Sequence, residues 1–183
     1  MNGEGMRWTI HESPIGPLTV LAGPSGITDI AFPGRVRLSD ENARAPMPDV
    51  AEKLDSYFAG ELREFDLDLD LRGSRLQLAV WRQLMKIPYG ETVSYGELAR
   101  RVDPAHFPSG TEPWERARLV GGCNGQNRLM IVVPCHRVIG ADGSLTGYAG
   151  GLQRKQALLE LEGYVVGAGP APRGQGHQQL SLP

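Results

Sequence analysis

Residues 133–140 read Val-Pro-Cys-His-Arg-Val-Ile-Gly, a thiol followed directly by an imidazole and a guanidinium. A cysteine is a good nucleophile only as the thiolate, and a free thiol pKa of about 8.5 leaves little thiolate at neutral pH. His136 and Arg137 are the kinds of group that raise the thiolate fraction of Cys135. A buried structural cysteine is the simpler interpretation, because free cysteines are among the most buried residues. The chain on either side decides between a reactive and a structural thiol.

The composition fits one ordinary domain or two small ones. The chain has 183 residues, 40% of them hydrophobic, a net charge of −2 and two cysteines, Cys123 and Cys135. This composition is typical of a soluble globular protein. No apolar run approaches the roughly 20 residues of a membrane span, and the N-terminus lacks the basic and apolar regions of a signal peptide. Two cysteines do not build a disulfide framework, so we expect a reducing cytoplasm.

The charge is unevenly distributed along the chain. Residues 1–71 carry 6 basic and 13 acidic side chains, a balance of −7, whereas residues 72–137 carry 10 and 5, a balance of +5. Residues 138–183 are balanced at 3 and 3. An electropositive middle segment indicates a surface for a polyanion, although arginine-rich exposed helices produce the same pattern.

The first third of the chain predicts an antiparallel sheet followed by a helix. Three short apolar segments, separated by turns rich in Pro and Gly, fit the strands of a meander at residues 8–11, 18–21 and 27–32. Asp49 is expected to cap a helix that ends at Gly60. Apolar and acidic residues then alternate from 65 to 71, which predicts a strand with one solvated face.

Beyond residue 72 the pattern becomes helical. Two capping boxes predict helix starts, Ser74 with Gln77 and Ser94 with Glu97. An apolar run at 129–133 predicts a strand, and the pattern at 152–162 predicts a last helix.

A further helix is expected from a cap at Thr111, with Pro113 in its first turn, and it carries Arg116 and Arg118. Two short helices joined by a turn resemble a helix-turn-helix, whose second helix enters a DNA groove. The connection through residues 103–114 is longer than the usual three or four residues, so the pattern alone does not establish DNA binding.

Six short motifs extend the opening stretch in both directions. They are Ile-Pro-Tyr-Gly-Glu-Thr at 87–92, Ser-Tyr-Gly-Glu-Leu-Ala at 94–99, Val-Gly-Gly at 120–122, Pro-Cys-His-Arg-Val-Ile-Gly at 134–140, Leu-Thr-Gly-Tyr-Ala-Gly-Gly at 145–151 and Leu-Glu-Gly at 161–163. In this order, and at family spacing from Arg118 onward, residues 76–163 resemble the catalytic domain of the O6-alkylguanine-DNA alkyltransferases, also called methylated-DNA–protein-cysteine methyltransferases. Residues 13–19 and 57–60 also resemble the ribonuclease-H-like N-terminal domain of that family.

The resemblance implies an α+β protein in two domains. A small ribonuclease-H-like domain, an antiparallel sheet plus a helix, is expected at residues 1–72. A mostly helical catalytic and DNA-binding domain with a winged helix-turn-helix is expected at residues 73–166. Residues 167–183 are rich in Gly, Pro, Gln and Ser with little apolar content, so a disordered tail is expected there.

The resemblance also implies a reaction. Cys135 would accept the alkyl group, His136 would deprotonate it through a bridging water, and Glu162 would orient the imidazole. Tyr95 matches the family tyrosine whose hydroxyl serves the flipped base. Because the thioether has no route back to a thiol, each molecule would act once. Without the resemblance, Glu162 would be interpreted as a surface carboxylate.

Further residues are assigned by resemblance to the substrate pocket. The carbonyls of Cys135 and Val138 would receive the guanine amino group, and the Ala149 amide would face O6. Tyr148 would form a pocket wall. Asn127 matches the asparagine that ties the recognition helix to the active-site turn.

Three residues are assigned by resemblance to DNA. A guanine O6 cannot be reached inside a duplex, so the base must be flipped out. Arg118 matches the arginine that fills the vacated place, on a helix entering the minor groove, and Gly121 and Arg137 are expected on the same surface. Without the motifs, Arg118 would be interpreted as a solvated helix arginine.

The expected partner is double-stranded DNA containing O6-alkylguanine, with O4-alkylthymine as a second substrate. The protein is expected to act as a monomer, with clustering along DNA as an open alternative. No cofactor, metal or membrane is expected.

The chain departs from the family pattern at three places. The connection through 103–114 is long, Leu119 stands where the family usually has alanine, and Arg128 stands where it usually has proline. These departures leave the chemical residues intact.

Three other functions compete with alkyl transfer. A lesion-binding protein without transfer activity would resemble the alkyltransferase-like branch, which usually has tryptophan in place of the acceptor cysteine. A thiol hydrolase would need an oxyanion hole that the sequence does not show. A metal site would need paired short spacing, which Cys123, Cys135 and His136 lack.

Overall fold

The computed structural model describes residues 5–38 and 43–165, so the predicted tail at 167–183 lies outside the described residues. In chain order the elements are β1 (Arg7–His11), β2 (Leu18–Gly23), β3 (Gly26–Ala31), α1 (Pro48–Phe58), α2 (Arg75–Leu84), β4 (Val93–Ser94), α3 (Tyr95–Arg101), α4 (Pro113–Gly125), β5 (Val138–Ile139) and α5 (Leu152–Leu161). Short 3-10 helices occupy Pro104–His106 and Cys135–Arg137. The predicted α+β class is confirmed, with a three-stranded sheet preceding a helical half.

The N-terminal sheet is an antiparallel meander in the order β1-β2-β3. β2 pairs on both sides, Val20 lying opposite Thr9 in β1 and opposite Ile30 in β3. Val20 and Ile30 are buried, as are Leu54 and Tyr57 of α1. Because both sets belong to one apolar cluster, the helix closes the core beside the sheet.

Two predicted strands, both within the described residues, do not form. Residues 65–71 make one isolated parallel bridge, between Leu69 and Ile27. Their apolar side chains still pack against the core. The alternation therefore identified a buried face correctly, although the backbone does not form the continuous hydrogen-bond ladder of a strand. The run at 129–133 forms only isolated bridges, and Ile131 turns the chain with a φ of +74°. An apolar run predicts burial better than it predicts backbone conformation.

The predicted helix starts at Ser74 and Ser94 are confirmed. Each serine hydroxyl accepts a hydrogen bond from the amide three residues on, and the side chain there, Gln77 or Glu97, accepts one from the serine amide. These reciprocal bonds satisfy amides that a helix leaves unpaired at its start.

The predicted caps at Asp49 and Thr111 are wrong by one or two positions. α1 begins at Pro48 and places Asp49 in its first turn. The N-cap of α4 is Glu112, directly before Pro113. In both helices a proline determines the first position, because it lacks an amide hydrogen and its φ is already helical.

The helical half brings two distant segments together. β4 and β5 form a short parallel pair, Val93 opposite Val138, which places the start of α3 beside the turn that contains Cys135. α3 and α4 are joined by residues 102–112, and the wing of the predicted helix-turn-helix stays a prediction. None of the helices in the described residues combines the length and apolarity needed to cross a lipid bilayer.

Candidate active site and DNA-binding face

Cys135 lies at the start of a 3-10 turn between a buried apolar segment and β5. Its amide donates to the Val133 carbonyl at 2.8 Å, and the Arg137 amide donates to the Pro134 carbonyl at 3.0 Å. Only 2% of Cys135 is exposed. In an extended strand, the side chains of Cys135 and His136 would point to opposite faces. The 3-10 turn instead buries both.

Two asparagines attach the end of α4 to this turn. The Asn127 amide nitrogen donates to the Cys135 Sγ at 3.0 Å and to the Val133 carbonyl at 2.8 Å. The Asn124 amide nitrogen donates to the Cys135 carbonyl at 3.3 Å. A donor aimed at the sulfur stabilises a thiolate more than a thiol.

Burial dominates the ionisation of Cys135. It raises the pKa of the thiol, and the Asn127 hydrogen bond and the positive charge of Lys155 oppose that effect. The resting cysteine is therefore a neutral thiol that needs a proton acceptor when it reacts.

His136 is wholly buried and bonded to a carboxylate. Its Nε2 lies 2.8 Å from Oε1 of Glu162. Burial lowers the pKa of His136, and the contact with Glu162 opposes this only in part. A neutral imidazole that donates through Nε2 presents a lone pair at Nδ1. Nδ1 makes no hydrogen bond to the described residues.

Glu162, the residue that follows α5, accepts hydrogen bonds from several donors. Oε1 accepts from the Tyr57 hydroxyl at 2.7 Å, and Oε2 accepts from the Gly90 amide at 3.3 Å. Burial by itself would raise the pKa of Glu162, but the bonds and charges of His136 and Arg137 together hold it well below its ordinary value. Glu162 is therefore a carboxylate, and it fixes the orientation of the imidazole.

Arg137 faces inward, so the prediction that it contacts DNA is wrong. Its Nε donates to Oε2 of Glu162 and its Nη2 to Oε1, both at 2.9 Å, while Nη1 donates to the Ile87 carbonyl at 2.6 Å. Only 6% of the residue is exposed. A buried carboxylate needs a charged partner, and Arg137 supplies it.

Tyr95, the first residue of α3, lies half-buried between α4 and the loop after β5. Its hydroxyl lies 3.1 and 3.2 Å from the carbonyl oxygens of Thr146 and Gly147. Gly147 has a φ of +60°, and a Cβ there would lie 2.6 Å from the Tyr95 hydroxyl oxygen. Burial raises the pKa of Tyr95, which keeps its proton available for donation.

The residues assigned to the substrate pocket occupy the same region. Tyr148 is buried and Ala149 half-buried in the loop that contains Gly147. The Val138 carbonyl already accepts a hydrogen bond from Lys155, which leaves one lone pair for a ligand. Gly121 of α4 packs against Tyr95, since a Cβ there would lie 3.6 Å from the ring.

Lys155 is a site residue that the sequence reasoning missed. It is fully buried on α5, and its ammonium donates to the carbonyls of Val138 and Thr146. Burial lowers its pKa to about 8, and the proximity of Cys135 opposes the shift. A signal was present, because Lys155 precedes the inward-facing Leu158 by one helical turn.

Arg118 lies apart from this cluster, exposed on α4. The exposed positions of that helix after its first residue are Trp114, Arg118 and Gly122, at intervals of four. Residues four apart lie on one helical face. We call these three residues the outward stripe. The structure thus gathers the predicted chemical residues in the interior and leaves Arg118 facing solvent.

The comparisons with known proteins cover both halves of the chain. The model of the 6-O-methylguanine DNA methyltransferase ribonuclease-like domain matches residues 6–71, and that of the DNA binding domain matches residues 75–164. A methylated-DNA–protein-cysteine methyltransferase of Mycolicibacterium paratuberculosis is 51% identical over 82% of this chain and 88% of its own length. One from Methanosarcina acetivorans is 41% identical over 86% of this chain and 99% of its own length.

A solved structure gives the same result. Mycobacterium tuberculosis OGT in complex with DNA superposes with a TM-score of 0.70 at 46% identity, over 87% of this chain and 93% of that one. The fold and the buried Cys–His–Glu arrangement thus define a DNA alkyltransferase architecture. This chain belongs to the methylated-DNA–protein-cysteine methyltransferase family.

Proposed function

We propose that this protein repairs duplex DNA by transferring an alkyl group from O6 of guanine, and from O4 of thymine, to its own Cys135. The observation that carries the proposal is the oriented, neutral imidazole of His136. It donates Nε2–H to Glu162 and keeps the Nδ1 lone pair uncommitted among the described residues. That arrangement is a base prepared to take a proton from a buried thiol.

The first step is deprotonation of Cys135. Because burial raises the pKa of the thiol, a spontaneous thiolate is scarce at neutral pH. His136 takes the proton at Nδ1 through a bridging water, and the Glu162 carboxylate stabilises the imidazolium that forms. Asn127 and Lys155 then stabilise the negative sulfur, the first by a hydrogen bond and the second by its charge.

The second step is an in-line displacement. The Cys135 sulfur forms a bond to the alkyl carbon while the bond from that carbon to guanine O6 breaks. The electron pair of the broken bond stays on the base, which the Tyr95 hydroxyl protonates or hydrogen-bonds. The product is a thioether, and no group in the site reverses it. Each molecule therefore acts once.

Duplex DNA is the partner, and the outward stripe of α4 is the surface that we propose meets it. Arg118 enters the place of the flipped base. Gly122 faces open space, since a Cβ there would meet nothing within 4 Å, and its lack of a side chain lets DNA approach the helix backbone closely. Gly121, the preceding residue of the helix, packs against the Tyr95 ring and so lies between the proposed DNA face and the pocket.

The lesion-binding alternative needs no nucleophile, so the presence of Cys135 in this network favours transfer. Incubation with an oligonucleotide containing O6-methylguanine is expected to add the mass of one methyl group to the peptide containing Cys135. Cys123, also buried and free, is the matched control and is expected to stay unmodified. An unmodified Cys135 in folded, DNA-bound protein would establish the alternative.

We also propose a domain boundary, an oligomeric state and a cellular compartment for this protein. The chain divides at residues 72–73 into an N-terminal domain and a catalytic, DNA-binding domain. It acts as a monomer in the cytoplasm, where two unpaired, buried cysteines remain reduced.

A further inference from the structure

The segment that leads from α4 to Cys135 is attached to the edge of β3. The Ile30 amide donates to the Arg128 carbonyl at 2.8 Å, and the Met130 amide donates to the Ile30 carbonyl at 2.8 Å. This is a short parallel bridge between the N-terminal sheet and residues 128–130. The N-terminal domain therefore contacts the chain seven residues before the reactive sulfur.

Arg128 reinforces this attachment with its side chain. Nε donates to Oδ1 of Asp29 at 2.7 Å, and Nη2 donates to Oδ2 at 3.0 Å. The Asp29 side chain is 3% exposed and that of Arg128 is 54% exposed. Two-point pairs with a buried carboxylate are among the stronger ionic contacts in proteins. Arg72 is also near Asp29, but it is hydrogen-bonded to Asp70.

Asn127 immediately precedes Arg128, and both the oxygen and the nitrogen of its side-chain amide are hydrogen-bonded. Its Oδ1 accepts from the Leu129 amide at 3.0 Å, and its Nδ2 donates to the Val133 carbonyl and to Sγ of Cys135. Displacement of residues 128–130 would therefore move the donor that faces the sulfur.

We propose that the Arg128–Asp29 pair is a positioning device that holds the Asn127 amide on the Cys135 sulfur. The stability of the thiolate then depends on a contact made by the N-terminal domain. Arg128 is one of the positions at which this chain departs from the family pattern, which usually has proline there. The inference rests on the proposed function, in which Cys135 is the acceptor.

The test measures transfer from free O6-benzylguanine, which needs no DNA. R128A and D29N are expected to react about threefold to tenfold more slowly at pH 7, the rate equivalent of one hydrogen bond. Their rates are expected to rise at higher pH than the wild-type rate, because the thiolate has lost a donor. R128K, which keeps one charged donor, is expected to recover part of the rate. R72A removes the neighbouring Arg72–Asp70 pair and leaves both hydrogen bonds between Arg128 and Asp29 in place, so it is expected to react like wild type.

A variant in the Asn127 background separates positioning from general stability. If Arg128 acts through Asn127, then R128A combined with N127A is expected to react no more slowly than N127A alone. A wild-type rate and pH profile in R128A, or a further loss in the double variant, would overturn the proposal. Failure of the proposed function would look different, since wild-type Cys135 would then carry no benzyl group at all.

A second inference comes from the outward stripe. Trp114 is 76% exposed in the first turn of α4, whereas Trp8 and Trp81 are 9% and 2% exposed. It lies one turn before Arg118 on the same face. Among the large apolar side chains of the described residues it is the most exposed, ahead of Val165 at 70%.

We infer that Trp114 packs against duplex DNA at the edge of the surface that Arg118 enters. The partner is DNA because the ring continues the stripe that carries Arg118, and an apolar ring can pack on the sugars of the duplex backbone regardless of sequence. The long connection before α4 would then add an anchor to the DNA face. This inference also rests on the proposed function.

The three tryptophans make the test direct. Trp114 is the exposed tryptophan, so it dominates the long-wavelength part of the tryptophan fluorescence. Binding of an unmodified duplex is expected to quench that part of the emission and shift it to shorter wavelength. W114F is expected to lack this change. W114A is expected to bind the duplex at least about fivefold more weakly, the effect of losing an aromatic packing partner. Its rate with free O6-benzylguanine is expected to be unchanged.

L152A, which removes another exposed apolar side chain at the start of α5, is expected to bind DNA like wild type. Unchanged emission on saturation with DNA, or equal affinity of W114A and wild type, would overturn the inference. If Cys135 accepted no alkyl group but Trp114 emission still responded to DNA, the proposed reaction would fail while the DNA contact stood.

Discussion

The buried network around Glu162 and the outward stripe of α4 differ in how their side chains are held. Glu162 accepts hydrogen bonds from four residues, and burial fixes every partner in one geometry. Arg118 and Trp114 are exposed and face solvent. A reaction is faster when the reacting groups are already held in the required geometry, as they are around Glu162. A DNA-binding surface instead needs exposed side chains that the DNA can contact. Substitutions in the two regions should therefore have different effects on transfer and on DNA binding.

The largest expected effect is the loss of transfer in Cys135→Ala. No alkyl group should reach the protein, because the only proposed acceptor is gone, while duplex binding should persist because the outward stripe is untouched. Mass spectrometry measures the first quantity and fluorescence anisotropy of a labelled duplex the second. Transfer by the variant, or a concurrent loss of DNA binding, would contradict the separation of the two regions.

Glu162→Gln is expected to destabilise the protein strongly. The change leaves the Arg137 guanidinium buried without its anion, and breaking a buried pair this way costs about 3–5 kcal/mol in the free energy of unfolding. Urea denaturation at pH 7 measures it. Glu160→Gln is the matched control, because it changes an exposed carboxylate in the last turn of α5. Its free energy of unfolding should stay within about 0.5 kcal/mol of the wild-type value.

The same carboxylate predicts how stability depends on pH. The pKa of Glu162 is held below its ordinary value of 4.5 in the folded protein, so below that pH the unfolded chain binds a proton that the folded one does not. Stability is therefore lost as the pH falls below 4.5. The difference in unfolding free energy between wild type and Glu162→Gln should be constant above pH 5 and shrink at lower pH. A constant difference down to pH 3 would show that Glu162 is not held as a carboxylate.

The smallest effect is expected on the outward stripe. Arg118→Ala should slow repair of O6-methylguanine in a duplex by about tenfold, because the flipped base leaves a vacancy that nothing fills. Transfer from free O6-benzylguanine should change little, since no base is flipped. Arg116→Ala, on the same helix, is the control, because the Arg116 guanidinium lies over the ring of Phe107 in the connection before α4. Equal losses on both substrates would place Arg118 in the chemistry instead.

Local patterns predicted the local structure well. The capping boxes at Ser74 and Ser94 involve partners three residues away, so the sequence contains everything that forms them. The resemblance supplied roles for Cys135 and Glu162, which periodicity alone would have assigned to burial and to the surface.

The larger errors, unlike the one- or two-residue shifts of the caps at Asp49 and Thr111, involve long-range partners. Arg137 was expected on DNA by resemblance, yet its guanidinium is hydrogen-bonded to Glu162, 25 residues away. Lys155 was missed because its acceptor, the Val138 carbonyl, lies 17 residues earlier. The alternation at 65–71 predicted a strand, but a ladder needs a neighbouring strand along its whole length, and only Leu69 pairs.

By itself the sequence determined the class of fold, the helix starts with reciprocal caps and the family, and it singled out Cys135 as the proposed acceptor. Only the tertiary structure decided which charges are buried, which donor faces the sulfur, and which face of α4 stays open. The reason is physical. A cap or an apolar periodicity is satisfied within a few residues, whereas the ionisation of Cys135, His136 and Glu162 depends on burial and on partners from distant segments.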